Sequence, residues 1–215
     1  MDTLYSFWRS SASFRVRIAA NLKQIPYKTQ PIHFRKNGGE HRSEAFLSIN
    51  PQGLLPAWQS GETSLFQSLA IIEYIDGQNS TNKLIPADPV ERALVNGMAQ
   101  LIACDIHPLN NLRVLQYLTN TLGVSEQDKN AWIIHWIKEG FDALEKLAHH
   151  HGSDRFCFKN AVSLVDVCLV PQVYNAERFG YDMSAHPKLE TITANLRTQK
   201  AFDDAKPENQ IDAED

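Results

Sequence analysis

The 215 residues predict an α/β N-terminal domain over residues 1–83 and an all-α C-terminal domain over residues 88–215. Three observations carry that expectation. Short alternating stretches and short helical stripes interleave as far as Asp76, and a polar run with a proline follows. Beyond it, every apolar pattern has the helical period.

Thr3–Trp8 alternates as a strand does, and in Ser13–Lys23 the residues Phe14, Ile18 and Leu22 recur on one helical face. Tyr27–Phe34 is a second strand candidate, followed by the polar stretch Arg35–Ser43. Ala57–Gln59 and Ser64–Phe66 are two further strands, with Ser60–Gly61 as the turn between them. Ser68–Asp76 then reads as a helix with Leu69, Ile72 and Ile75 inward. The order β-α-β, then β-β-α, is the thioredoxin-like pattern of a sheet covered by helices.

Asn79–Asp88, which contains Pro86, is the expected linker. Asp88-Pro89-Val90-Glu91 is a helix start, with a capping Asp and a proline at the first helical position. That helix is expected to continue past Pro108 with a kink or break there, because proline removes a helical hydrogen bond. Ile133, Ile137, Phe141, Leu144 and Ala148 trace the core-facing stripe of another helix. Ser163 and Asp166 have capping-box spacing and open an apolar helix in which Pro171 is expected to cause a bend. Lys206–Asp215 is acidic and polar and is expected to fray.

Hydrophobic residues at 43%, charged residues at 21% and a net charge of -4 describe an ordinary globular chain without a basic field. Nucleic acid and anionic lipid are therefore not expected as partners. No secretory signal is read in MDTLYSFWRSS, and the most apolar run, Val162–Tyr174, is too short to span a bilayer. Cys104, Cys157 and Cys168 are odd in number and widely spaced, so neither a disulfide framework nor a metal site can be built from them. A reducing compartment, the cytoplasm, is expected. Cys104 and Cys168 sit in apolar patterns and read as core residues. His149-His150-His151 reads as the solvated end of a helix, because consecutive helical positions point apart, and no metal is expected. Trp132 and Trp136, a turn apart, read as packing.

Three elements carry possible chemistry. Ser10 and Ser11 stand where the first strand turns into the first helix. A serine there is ordinarily an N-cap, yet a hydroxyl beside a helix N-terminus also stabilises an anion: phosphate, carboxylate or thiolate. Pro56, just before a strand, is by itself a turn device. A cis Leu55–Pro56 bond would instead turn the Leu55 backbone toward a peptide ligand. Gln67-Ser68 enters the next helix either as a cap or as a grip on a carboxylate.

Taken together and in order, these elements resemble those of the glutathione transferases. RSSASFRVRIAANLK, Arg9–Lys23, is similar to the zeta-class signature. NPQGLLPAW, FQSLAIIEYID, PADPVERA, CDIHPLNNLRVLQYL and DVCLVPQVYNAERF are similar to further zeta-class segments, from about Leu4 to Phe202. The class includes maleylacetoacetate isomerases and maleylpyruvate isomerases. The resemblance implies the glutathione transferase architecture, glutathione as cofactor, a homodimer, and a helical domain that completes the substrate site.

Residue roles follow from the resemblance only at matching positions. Ser10 would donate to the glutathione thiolate, and Ser11 would support the same turn. Leu55, with Pro56 in cis, would bind the cysteinyl backbone, and Gln67 and Ser68 would hold the γ-glutamyl end. His41 would lie near the glycyl end, with His107, Asn111 and Arg113 bordering the cleft. Arg9, Arg113 and Arg178 match carboxylate-binding positions, and a guanidinium fork suits a dianionic keto-acid. The implied reaction is glutathione-dependent cis–trans isomerisation of a maleyl keto-acid, maleylacetoacetate to fumarylacetoacetate, in aromatic amino-acid catabolism.

One position departs from the class. Its usual cysteine after the two serines is Ala12 here, which argues against chemistry that needs a protein thiol and leans toward maleylpyruvate. Transfer of glutathione to α-haloacids or other electrophiles is the enzymatic alternative, and a catalytically silent binding protein on the same fold is the alternative from another class.

Overall fold

Strand β1 (Asp2–Ser6) lies inside a four-stranded sheet in the computed structural model, which describes residues 1–214. The order is β2-β1-β3-β4, with β2 at Tyr27–Pro31, β3 at Ala57–Ser60 and β4 at Thr63–Phe66. β1 and β2 are parallel, and helix α1 (Ser11–Lys23) makes the crossover that parallel neighbours require. β3 is antiparallel to β1 and β4 to β3, with Leu4 opposite Trp58 in the buried centre. The β3–β4 hairpin turns at Gly61, whose φ of +58° costs glycine nothing. A short helix α2 (Glu44–Leu47) precedes β3, and α3 (Ser68–Gly77) packs along α1.

Two strands end earlier than their alternation suggested. β1 stops at Ser6 because Phe7–Arg9 turn the chain, the Ser10 N–H donating to the Phe7 carbonyl at 3.0 Å. β2 stops at Pro31, and the His33 N–H donates to the Glu40 carboxylate at 2.7 Å instead of to a strand. α1 buries Phe14 and Ile18, as its spacing requires, but also Arg15, Arg17 and Lys23. Lys23 is paired with Asp76 of α3 at 3.0 Å and donates to the carbonyls of Asn79 and Thr81.

The second unit is Leu84–Thr198. It contains α4 (Pro89–Gln100), α5 (Leu112–Asn120), α6 (Glu126–His151), α7 (Leu164–Arg178) and α8 (Pro187–Arg197). Asp88 caps α4, its carboxylate accepting from the Val90 and Glu91 N–H groups at 3.0 Å each. The interruption expected at Pro108 begins sooner: α-helical winding ends at Gln100, and Leu101–Ile106 form a wider π turn before the tight turn His107–Asn110. The π turn presses on α6 at Gly140, where an added methyl would stand 2.2 Å from Ile106 Cγ1. An extra residue per turn shifts the helical register, and Cys104, expected in the core, is exposed on this segment; Cys157 and Cys168 are buried.

The α6 stripe of Ile133, Ile137, Phe141, Leu144 and Ala148 is wholly buried. α7 opens with the capping box: the Asp166 carboxylate accepts from the Ser163 N–H, the Ser163 hydroxyl and the Cys157 N–H, each at 2.8 Å. Pro171 lies buried inside α7 without interrupting its span.

The C-terminal segment corrects two expectations. Residues from Gln199 onward belong with Met1–Lys83, not with the helical unit, and α9 (Lys200–Asp203) packs on α1. Nor does Lys206–Asp215 fray over its described part. Arg17 Nε donates to the Ala205 carbonyl at 2.9 Å, Asp212 accepts from the Trp8 N–H at 2.9 Å, and Glu214 lies 2.7 Å from Lys36 Nζ. The polar pattern is that of a chain pinned by its side chains.

Candidate functional site

Ser10 is the N-cap of α1, in extended conformation, and its Oγ accepts from the Ser13 N–H at 3.2 Å. That bond uses a lone pair and leaves the hydroxyl proton for an acceptor outside the helix. The positive end of the α1 dipole lies beneath it, and α1 has no acidic residue in its first turn to neutralise that field. Ser11 is buried at the first helical position. Half-buried Arg9 lays its guanidinium over the Trp8 ring, 5.0 Å from the centroid.

The Leu55–Pro56 peptide is cis, and both residues are buried. Asn50 fixes the loop before them, donating from Nδ2 to the Leu54 carbonyl at 2.8 Å and accepting from the Gln52 N–H at 3.1 Å. Gln52 Oε1 in turn accepts from Gln67 Nε2 at 3.0 Å, which ties this loop to the start of α3. Gln67 itself holds a φ of +68°, a sparsely populated region for a non-glycine residue, and such conformations gather at ligand clamps.

Ser68 is the first residue of α3, buried, and its Oγ accepts from Arg15 Nη1 at 3.4 Å. Gln67 makes no side-chain cap, so the first amides of α3 remain open to an anion, with the buried Arg15 charge behind them. A capped helix N-terminus whose hydroxyl keeps its proton, a second N-terminus without a side-chain cap, and a loop between their elements suit a peptide with a thiolate and a carboxylate. Glutathione fits that donor set.

His41 sits beyond the same loop, its ring 4.8 Å from Phe34, and Phe34 packs against Phe7 at 5.2 Å. Burial pushes the His41 imidazole below the ordinary histidine range, and Arg42 adds to the effect. Phe7, Trp8, Phe46, Leu55 and Ala57 form one apolar cluster with Phe34 at its edge. In the first unit, contacts run from Ser10 through Phe7 and Phe34 to His41, and from Gln67 through Gln52 and Asn50 to the Leu54 carbonyl beside the cis peptide.

The other candidates are carried by the second unit. His107 and Asn111 meet at 3.4 Å, and Asn111 caps α5 by accepting from the Arg113 N–H at 3.2 Å. Arg113 is exposed. Arg178 is the last residue of α7, exposed, with its guanidinium 5.3 Å from the centre of the Phe179 ring. Glu177, the acid beside it, is engaged by Arg197 in a bidentate pair of 2.9 and 2.7 Å.

Arg15, Asn50 and Gln52 were not singled out from the sequence. Arg15 carried a readable signal, a charge within an otherwise apolar helical stripe. Asn50 and Gln52 act through loop geometry that has no periodicity.

Residues 2–77 match the family model described as glutathione S-transferase, N-terminal domain. A probable maleylacetoacetate isomerase of Vibrio cholerae is 52% identical over 98% of this chain and 97% of its own. The holo structure of a maleylpyruvate isomerase, described as a bacterial zeta-class glutathione S-transferase, superposes with a TM-score of 0.94 at 43% identity, covering 99% and 100% of the two chains. The maleylacetoacetate isomerase of Methylobacterium extorquens AM1, solved with bound malonate and glutathione, gives a TM-score of 0.93 at 35% identity over 99% and 100%.

Proposed function

The chain belongs to the zeta class of the glutathione transferases, and we propose that it isomerises maleylacetoacetate to fumarylacetoacetate, using Ser10 as the hydrogen-bond donor to the glutathione thiolate. The observation that carries this is Ser10 itself: a cap hydroxyl with a spare proton on an uncompensated helix N-terminus.

When bound, glutathione supplies the sulfur nucleophile that makes the cis carbon–carbon bond temporarily single. The chain's residues do the rest. Ser10 and the α1 dipole lower the cost of the sulfur's negative charge. Ser68, backed by Arg15, and Gln67 hold the γ-glutamyl carboxylate, and Leu55 presents its backbone to the cysteinyl residue. His41 serves the glycyl end. In the second unit, His107, Asn111 and Arg113 are assigned to the border of the glutathione site, and Arg113 and Arg178, with Arg9, to the substrate carboxylates. Two fixed carboxylates orient the central bond, which is where much of the acceleration of a positioned reaction arises.

Ala12, on α1 two residues after Ser10, stands where the class usually has a cysteine, and since maleylpyruvate isomerases can also lack it, maleylpyruvate is the second reading. A homodimer is part of the proposal on the strength of the zeta-class resemblance, and so is a cytoplasmic location, which the free Cys157 and Cys168 suit. Among the described residues no helix is long and apolar enough to cross a membrane.

Rates on maleylacetoacetate and maleylpyruvate, measured side by side with and without glutathione, test the reading. Faster turnover of maleylacetoacetate, absent without glutathione, is expected. The reverse ratio selects the second reading. Stable glutathione adducts would instead identify a transferase, and no binding of millimolar glutathione would identify a silent scaffold.

A further inference from the structure

Trp8 stands two residues before Ser10, and both of its backbone polar groups are held by buried or half-buried charges. Its N–H donates to Asp212 Oδ2 at 2.9 Å, and its carbonyl accepts from Arg17 Nη2 at 2.9 Å. Arg17 makes two further bonds in the same neighbourhood: Nη1 to Ser6 Oγ at 3.1 Å and Nε to the Ala205 carbonyl at 2.9 Å. Ser6 is the last residue of β1, so the guanidinium bridges the end of the strand, the turn, and the C-terminal segment. Helical side chains lean toward the N-terminus, and position 17 shares a face with position 10, two turns earlier. Arg17 is thereby aimed back at the turn that delivers Ser10.

We propose that Arg17 and Asp212 are positioning residues for the Ser10 hydroxyl, gripping the Trp8 backbone from its two sides and so fixing the Phe7–Ser10 turn. The proposal rests on the reading of Ser10 as the thiolate donor. Two consecutive peptide planes, Phe7–Trp8 and Trp8–Arg9, are set by these bonds. The Ser10 end of the turn is held by the 3.0 Å bond from its N–H to the Phe7 carbonyl and by the Phe14 N–H, which donates to the Ser10 carbonyl at 2.8 Å. Arg17 is fully buried, and that burial brings its guanidinium down to about 10, which still leaves it charged at neutral pH.

The sign of one measurement separates positioning from a simple field. Removing a carboxylate near the site would, by Coulomb attraction alone, favour thiolate and lower the titration midpoint of bound glutathione. Loosening the Ser10 turn would raise it. The probe is glutathione on the full-length protein, with the thiolate followed by its ultraviolet absorbance against pH, alongside kcat, glutathione affinity and melting temperature.

D212A is expected to raise the midpoint by about half a unit and lower kcat roughly tenfold, with glutathione affinity within about twofold. D212N keeps an acceptor for the Trp8 N–H and is expected to stay near wild type. In an S10A background the effect of D212A on the midpoint should vanish, as expected for residues acting through one another. An unchanged or lowered midpoint in D212A, or a midpoint raised as far in D212N as in D212A, overturns the proposal. If D212A does not fold, R17K serves in its place: it keeps the charge but loses the fork, and it should raise the midpoint, an unchanged value again being fatal. S10A run in parallel isolates the premise. If S10A leaves the midpoint unmoved, the reading of Ser10 fails; if S10A raises it and D212A does not, only the positioning roles fail.

Discussion

Ser10 and Ser13 are joined by a 3.2 Å hydrogen bond in which the Ser13 backbone N–H donates to the Ser10 hydroxyl oxygen. The cap and the proposed thiolate donor are the same atom used through different orbitals. Ser10→Ala should therefore have two separable effects. Loss of the cap costs about 1 kcal/mol of stability, read by urea denaturation. Loss of the donor lowers kcat about 10²–10³-fold. Unchanged turnover in a folded variant removes Ser10 from the chemistry.

The Arg178 assignment makes a kinetic prediction. Arg178→Ala should raise KM for the keto-acid about tenfold or more and leave KM for glutathione unchanged. Arg178→Lys should recover only part of the loss, because an ammonium cannot offer two parallel donors to a carboxylate. Equal effects on both substrates would show that the residue acts on the fold.

Lys23 and Asp76 are an ion pair withdrawn from water, with side chains 0% and 5% exposed. Removing Lys23 takes the nearer cation from a buried carboxylate and leaves it the half-exposed Lys83 at 3.9 Å, so Lys23→Met should cost up to about 3–5 kcal/mol in equilibrium unfolding. Joining it with Asp76→Leu should restore a large part of that loss. Additive losses in the double variant would mean the two charges do not depend on each other.

His41 gives stability a pH dependence of defined sign. Its folded-state affinity for a proton is lowered, first by burial and then by Arg42. The unfolded chain therefore binds this proton more readily, and stability rises with pH across the window just below the ordinary histidine value of about 6.5. Denaturation of the protein and of His41→Gln between about pH 5 and pH 7 should show a shallower rise in the variant. Parallel curves would contradict the assignment.

Gly140 allows α6 to lie against the π turn. Gly140→Ala brings a methyl to 2.2 Å from Ile106 Cγ1, and the clash outweighs alanine's better helix propensity. A net loss of about 1–3 kcal/mol is expected. Ile106→Val should relieve part of it in a double-mutant cycle; no relief would place the strain elsewhere.

The parts of this protein legible in its sequence are those governed by local rules. Alternation and helical spacing located all four strands and the stripe of α6, and the caps at Asp88 and Ser163 were readable because a cap binds within three residues. The strand ends were not, because turn bonds such as Ser10 to Phe7 and His33 to Glu40 leave no periodic mark, and the interruption after Gln100 was not, because it is coupled to a contact across the fold, Ile106 against Gly140. Cys104 was misplaced for the same reason. The site was half legible: serines at helix starts were visible, but nothing near Ser10 or Ser68 in the chain specifies a thiolate or a carboxylate. Long motif resemblance supplied that choice. Arg17 and Asp212 escaped because they act on each other's neighbourhood over nearly the whole length of the sequence.

The return of the C-terminal segment to the first unit also sets an order of events during synthesis. A ribosome releases the sheet, α1 and α3 long before it releases Ala205 and Asp212, so Arg17 must wait, its guanidinium without those partners, while the entire helical unit is made. The domain translated first is the domain completed last. A fragment ending at Lys83 therefore lacks the Ala205 carbonyl that accepts from Arg17 and the Asp212 carboxylate that accepts from Trp8, and exchanging this half between relatives needs two crossover points, one near Lys83 and one near Gln199.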